Sequence, residues 1–271
     1  MNEIFGFDAF SPKEIAEKVD TVGVAKARLP LLSMLMLAVL AGAFIGLGAL
    51  YFVVVKSDPT MGFAARQVLG GVAFALGLIL VIVAGAELFT GNNLLVMAWA
   101  DRKISTMELV RSWAIVCIGN FIGATGLAAL VFLSHHPDMN QGAIAREYLN
   151  IAAAKLTMPF WTAFFRDVLC NALVCLAVWM ALAGRSVVDK TVAIVFPISA
   201  FVAAGFEHSV ANMYLVPMAM LLQYGGLVSE AVPALTWLDF MGSLFPVLAG
   251  NLIGGTVFVG LVYHLIYHRD Q

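Results

Sequence analysis

Glu207 and His208 stand side by side in the stretch GFEHSVANM (205–213), with AIVFPISAFVAA before it and YLVPMAMLL after it. A carboxylate accepts hydrogen bonds or meets a cation. An imidazole, with an ordinary pKa of about 6.5, donates a hydrogen bond or passes a proton near neutral pH. A second polar island, GAELFTGNN (85–93), interrupts another apolar run and carries Glu87 and Thr90. Ionisable groups inside long apolar runs are costly, so each marks a pathway or a set of internal hydrogen bonds.

The elements around these islands belong to a membrane. Of the 271 residues, 62% are hydrophobic and only 12% charged, against about 25% charged in soluble domains. The net charge of -2 and the lack of a long basic run give no reason to expect a nucleic-acid partner. Cys117, Cys170 and Cys175 lie in apolar segments without paired His spacing and read as small buried hydrophobes. No charged segment leads into a short apolar one at the start, so no cleaved signal peptide is expected. Within residues 1–29, Ser11 and Pro12 mark a helix start, and Ile15, Val19 and Val22 share one face. That amphipathic helix would lie on the membrane surface or pack against the bundle.

Residues 30–268 form one transmembrane domain of six hydrophobic units, at about 31–55, 67–100, 109–134, 158–183, 188–222 and 241–268. The second and fifth exceed the roughly 20 residues of a simple span, and these two hold the polar islands. With six spans, one side carries ten Lys and Arg residues: Lys13, Lys18, Lys26, Arg28, Arg102, Lys103, Arg111, Arg185, Lys190 and Arg269. The other carries four, Lys56, Arg66, Arg146 and Lys155. The bias puts both termini in the cytoplasm.

The islands align without a gap: GAELFTGNNLLVMA (85–98) and GFEHSVANMYLVPM (205–218) agree at Gly, Glu, Asn, Leu and Val. Downstream, GNFIG (119–123) matches GNLIG (250–254). The fold expected is an all-α membrane protein with six helices in a 3+3 repeat, at about 30–136 and 157–268. Three spans per half make the repeat inverted, with helices two and five broken near the midplane. Second half-helices starting near Gly91 and Ser209 would aim free N–H groups at a small anion. Glu87 and Glu207 would repel that anion if they faced it, and each costs roughly 2.5–3.5 kcal/mol to insert unsatisfied. They are expected to shape the breaks. Asn120 and Asn251, in the repeated GN-x-IG, suit interhelical hydrogen bonding or pore lining. His208 faces Leu88 across the repeat, and the chemistry is placed on this asymmetric member.

GAELFTGN, GFEHSVANM and NALVCLAVWMALAGRS (171–186) together resemble the formate/nitrite transporter family over residues 10–268, and look closest to its formate channels. The resemblance implies an aquaporin-like fold and a homopentamer with one pore per protomer, in a bacterial inner membrane. It implies Thr90 and His208 as central pathway residues. Lys155 and Asn171 would lie near the periplasmic entrance, and Asn251 on the pore side. It implies apolar constrictions at Leu88 and Phe201 towards the cytoplasm, and at Phe74 and Leu78 towards the periplasm. Gly91, Asn92 and Asn93 depart from the usual LFTST run of formate channels, and the N-terminal sequence departs from the family's gating region.

The function expected is passage of a small monovalent anion, formate first, with nitrite or hydrosulfide as the alternative. His208 would aid its dehydration or protonation. No cofactor, metal site or enzyme activity is expected: there is no nucleophile–base pair or metal cluster. A haem subunit would need paired axial ligands, which His135, His136, His264 and His268 are badly placed to supply. The Asn-Pro-Ala repeats typical of aquaporins are absent.

Overall fold

The computed structural model describes residues 9–226 and 234–267. Arg269, counted in the charge bias, and His268 lie outside them. Among the described residues every regular element is helical. The chain runs through α1 (Pro12–Ala27), α2 (Leu31–Lys56) and α3 (Phe63–Leu80), which a π-helical turn prolongs over Val81–Gly85. After a non-helical stretch, a 3-10 turn at Gly91–Leu95 leads into α4 (Val96–Ala100), then α5 (Thr106–Leu133) and α6 (Ala143–Leu156). Next come α7 (Phe160–Ala183), α8 (Val187–Ala203), α9 (Ser209–Tyr224) and α10 (Trp237–Gly255), the last continued through a π-helical turn into α11 (Val262–Tyr267).

Local chemistry sets several starts. Ser11, Ser105 and Ser186 each cap a helix and close a reciprocal capping box with Glu14, Glu108 and Asp189. Among the described residues, five helices are long and apolar enough to cross a membrane: Leu31–Lys56, Phe63–Gly85, Thr106–Leu133, Phe160–Ala183 and Trp237–Tyr267. α8 has 17 residues and α9 has 16, each short of the roughly 20 that a span needs. Of the two sites open to α1, the structure chooses the bundle. Ile15 and Val19 are buried, and the helix packs on α4, α7 and the 91–95 turn.

α6 lies between the hydrophobic units at 109–134 and 158–183, in a stretch too polar to read as a span. Its buried positions, Ile144, Ala145, Tyr148, Leu149 and Ala152, keep helical spacing and form one face. Tyr148 is fully buried and its hydroxyl lies 2.8 Å from that of Tyr214 on α9. This anchors α6 over α9 and brings Lys155, near its end, to the site described below.

The two GN-x-IG motifs mark the closest helix crossings. A Cβ added at Gly123 on α5 would lie 1.8 Å from the Val39 carbonyl oxygen on α2. One at Gly254 on α10 would lie 2.2 Å from the Val168 carbonyl oxygen on α7. Both obstacles are backbone, so no side chain can yield. Gly123→Ala and Gly254→Ala should each destabilise by about 1–3 kcal/mol, as overpacking does, and lower the thermal midpoint of the detergent-purified protein. Gly126→Ala, with open space around it, serves as the control; equal midpoints for all three would refute the close-approach account.

Candidate functional site

The site is built where two helices stop. Gly85 and Gly205, matched in the sequence alignment, have φ of +85° and +71°. This left-handed conformation favours glycine and turns the chain off each helix axis. Residues 86–90 and 204–208 are non-helical, and helix resumes at Gly91 and Ser209.

Backbone groups freed at a chain break need partners when buried. Asn120 supplies them at the first. Its Oδ1 accepts from the Phe89 N–H at 2.8 Å, while its Nδ2 donates to the carbonyls of Ala38 at 2.7 Å and Glu87 at 2.9 Å. Asn251 repeats the device. Its Oδ1 accepts from the Ser209 N–H at 3.1 Å, and its Nδ2 donates to the Asp167 carbonyl at 3.2 Å. Phe89 and Ser209 are matched positions, as are the two asparagines.

The carboxylates are matched too. Glu87 accepts from Asn92 Nδ2 at 2.7 Å and pairs with Lys26 of α1 at 2.9 Å. Glu207 accepts from Asn212 Nδ2 at 3.0 Å and pairs with Lys155 of α6 at 2.5 Å. In each case the asparagine follows the glutamate by five residues. Sequence reasoning passed over Lys26, Asn92, Asn93 and Asn212 as partners, although the aligned asparagines at 92 and 212 were a readable signal.

Between the breaks lie Thr90 and His208. Thr90 is fully buried and His208 is 3% exposed. The Thr90 hydroxyl is 3.2 Å from His208 Nε2. His208 Nδ1 accepts from the Ala211 N–H at 3.2 Å, so the side chain also caps α9. An Nδ1 that accepts carries no proton, which places the proton of the neutral ring on Nε2, facing Thr90.

A cavity of about 360 Å³ reaches His208, Phe74 and Phe201 from the α6 side, and its walls include Lys56, Lys155 and Arg166. Burial raises the Glu147 carboxyl on the same wall above its ordinary range. Phe74 and Phe201 meet edge to face with ring centroids 5.7 Å apart, and the Phe201 ring stacks 6.0 Å from that of His208. A smaller cavity of about 50 Å³ lies against α1 and is lined by Leu78, Leu88, Gly91 and Lys26. Phe74 belongs with Phe201, and Leu78 with Leu88. Residues 74 and 78 are one helical turn apart, about 6 Å along the axis, so each partners a residue at its own level.

Asn171 and Asn251 line neither cavity. Both are fully buried, and Asn171 Nδ2 donates to Asn93 Oδ1 at 2.7 Å and to the Asn251 carbonyl at 2.5 Å. They knit α7, α10 and the first break together from behind.

Comparison with known proteins places this architecture. The family model described as formate/nitrite transporter matches residues 13–265. The chain belongs to the formate/nitrite transporter family. It is 42% identical over 263 residues to the uncharacterized transporter YrhG of Bacillus subtilis (strain 168), covering 96% of this chain and 94% of that one. Formate channel FocA of Escherichia coli (strain K12) is 37% identical over 276 residues, covering 98% and 97%. A solved pentameric formate channel with formate bound superposes with a TM-score of 0.82 at 38% identity, covering 88% of this chain and 97% of that one.

Within this family frame the asparagines carry the breaks. Asn120→Ala would orphan the buried Phe89 N–H and should cost about 1–3 kcal/mol. Thermal unfolding of the purified protein checks this; a midpoint unchanged from wild type would refute the bracing role of Asn120.

Proposed function

We propose that this protein carries formate across a bacterial cytoplasmic membrane. The observation that carries the reading is the Thr90–His208 pair, 3.2 Å apart, set between Phe74 with Phe201 on one side and Leu78 with Leu88 on the other. An anion reaching an apolar constriction loses water, and a bare charge there is costly. The cations of the larger cavity raise the local concentration of anions. The Thr90 hydroxyl and the His208 Nε2–H then replace part of the lost hydration. The bond from Ala211 N–H to Nδ1 favours hydrogen-bond donation by His208 over release of its only ring proton. The family and the printed descriptions of its formate channels make formate the first substrate to test.

The proposed architecture is six spans in a 3+3 inverted repeat. α3 with the 91–100 segment forms one broken span, and α8 with α9 forms the other. The matched breaks, matched asparagine braces and matched glutamates support it. The excess of Lys and Arg on one side supports a cytoplasmic position for both termini, with α1 as a distinct N-terminal element over the smaller cavity. Likeness to the pentameric relative supports a homopentamer with one pathway per protomer. No enzymatic step is assigned.

His208→Phe removes the donor while keeping an aromatic ring. A hydrogen bond to a charged group contributes about 1.5–3 kcal/mol, so formate flux in proteoliposomes should fall roughly tenfold or more at every pH, with its pH profile keeping its shape. Full flux with a flattened profile would instead make His208 a proton relay. Nitrite and hydrosulfide, measured in parallel, test the substrate; either one outpacing formate would displace it.

A further inference from the structure

The two breaks share a frame, and subtracting it leaves one pair of side chains over. The alignment that matches the islands sets Asn93 against Met213. At the helix crossings Asn171 meets the Asn251 carbonyl, where the first half brings Gly42 against the Asn120 carbonyl. Asn93 and Asn171 are fully buried, and Asn171 Nδ2 donates to Asn93 Oδ1 at 2.7 Å. Met213 and Gly42 carry no polar side chain to repeat that bond. Asn120 and Asn251 already brace both breaks, so the added pair answers a need that the frame does not.

From this pair hydrogen bonds run to both breaks. Asn93 Nδ2 donates to the Phe89 carbonyl at 3.2 Å, one residue from Thr90. Asn171 Nδ2 also donates to the Asn251 carbonyl at 2.5 Å, and Asn251 Oδ1 accepts from the Ser209 N–H, one residue from His208. Phe89, Asn93, Asn171, Asn251 and Ser209 therefore form one hydrogen-bonded chain from the first break to the second. One turn along α7 from Asn171, Cys175 Sγ donates to the Thr90 carbonyl at 3.4 Å. Gly255 of α10 closes the cluster. A Cβ added there would lie 2.5 Å from Asn171 Nδ2, 2.7 Å from Asn93 Cβ and 2.8 Å from Cys175 Sγ. The other side of the loop is roomier, since a Cβ added at Gly91 would meet only Val178, at 3.6 Å. Hydrogen bonds to α7, more than packing at Gly91, hold Thr90 where it is.

We infer that Asn93 is a positioning residue for anion passage: tied to Asn171, it fixes the Thr90 hydroxyl opposite His208 Nε2, so that both donors meet the same anion. The inference rests on reading Thr90 and His208 as the anion's hydrogen-bonding pair. A loop free to turn would have to be ordered at each passage. The asparagine chain orders it beforehand, and preorganisation of this kind removes that cost from binding. Asn93 itself touches no anion; it acts through Thr90.

Formate flux in proteoliposomes tests the role. Asn93→Ala and Asn171→Ala should each lower it about tenfold, the scale of one hydrogen bond to a charged group. Asn93→Ser should fall as far: its hydroxyl can still donate to the carbonyl one turn back but is too short to reach Asn171. In a Thr90→Ala background, adding Asn93→Ala should cost nothing further. Wild-type flux in Asn93→Ala or Asn93→Ser, or the same fold-loss from Asn93→Ala with and without Thr90, overturns the inference. Amide hydrogen exchange of the purified full-length protein needs no transport. Residues 89–91 should exchange faster in Asn93→Ser and Asn171→Ala than in wild type, and equal rates also overturn it. A wild type that moves no formate sinks the transport reading, and the exchange rates then decide whether the Asn93–Asn171 bond holds the loop.

Discussion

Backbone groups at membrane depth must find partners inside the protein, and this constraint shapes the rest of the molecule. Each helix stops at a glycine with positive φ, and each stop frees N–H and C=O groups. An asparagine from a different helix answers both. Asn120 and Asn251 reach the breaks only because Gly123 and Gly254 let α5 and α10 close on α2 and α7. The helix crossings, the asparagine braces and the open chain are one mechanical unit, present twice. Removing a glycine methyl's worth of space at the crossing would act on the site from a distance.

The cations complete each unit but come from elements outside it. Lys26 arrives on α1 and Lys155 on α6, neither of which is among the long apolar helices. Each meets the glutamate of one break. The glutamates are thereby neutralised where they would otherwise repel an anion. The same contacts tie α1 and α6 to the centre of the protein. On the α1 side the link extends outward, since Lys103 pairs with the buried Asp20. Movement of either outer element would be felt at a break through a single ion pair.

Much of this was legible in the residues. Glu, Gly and Asn recurring in register announced two equivalent breaks, and GN-x-IG announced two equivalent crossings. Their spacing was enough because glycine and asparagine are poor choices in an apolar run unless geometry requires them. The partners were harder to read. Lys26, Lys155 and Asp167 reach the breaks through tertiary packing of α1, α6 and α7, and no local pattern encodes that. α6 was overlooked because it lies in a connection, although its buried face has plain helical spacing. Phe74 lies beside Phe201, while Leu78, one turn further along α3, lines the smaller cavity with Leu88. Residues one turn apart on a helix occupy different levels of a pathway.

Symmetry also explains why the chemistry concentrates at the second break. Where the first half has Leu88, Ala38 and Gly42, the second has His208, Asp167 and Asn171. Gly42 shows what the difference means in space, because a Cβ there would lie 2.0 Å from the Asn120 carbonyl oxygen. At the corresponding crossing Asn171 reaches the Asn251 carbonyl through its side chain instead. At the first crossing Gly42 and Ala38 bring no polar side chain to the contact. The second is as close at Gly250 and Gly254 but carries polar side chains beside the contact, and several of their oxygens remain unpartnered. The braces are already in place, so each added polar group is held in position without a new scaffold.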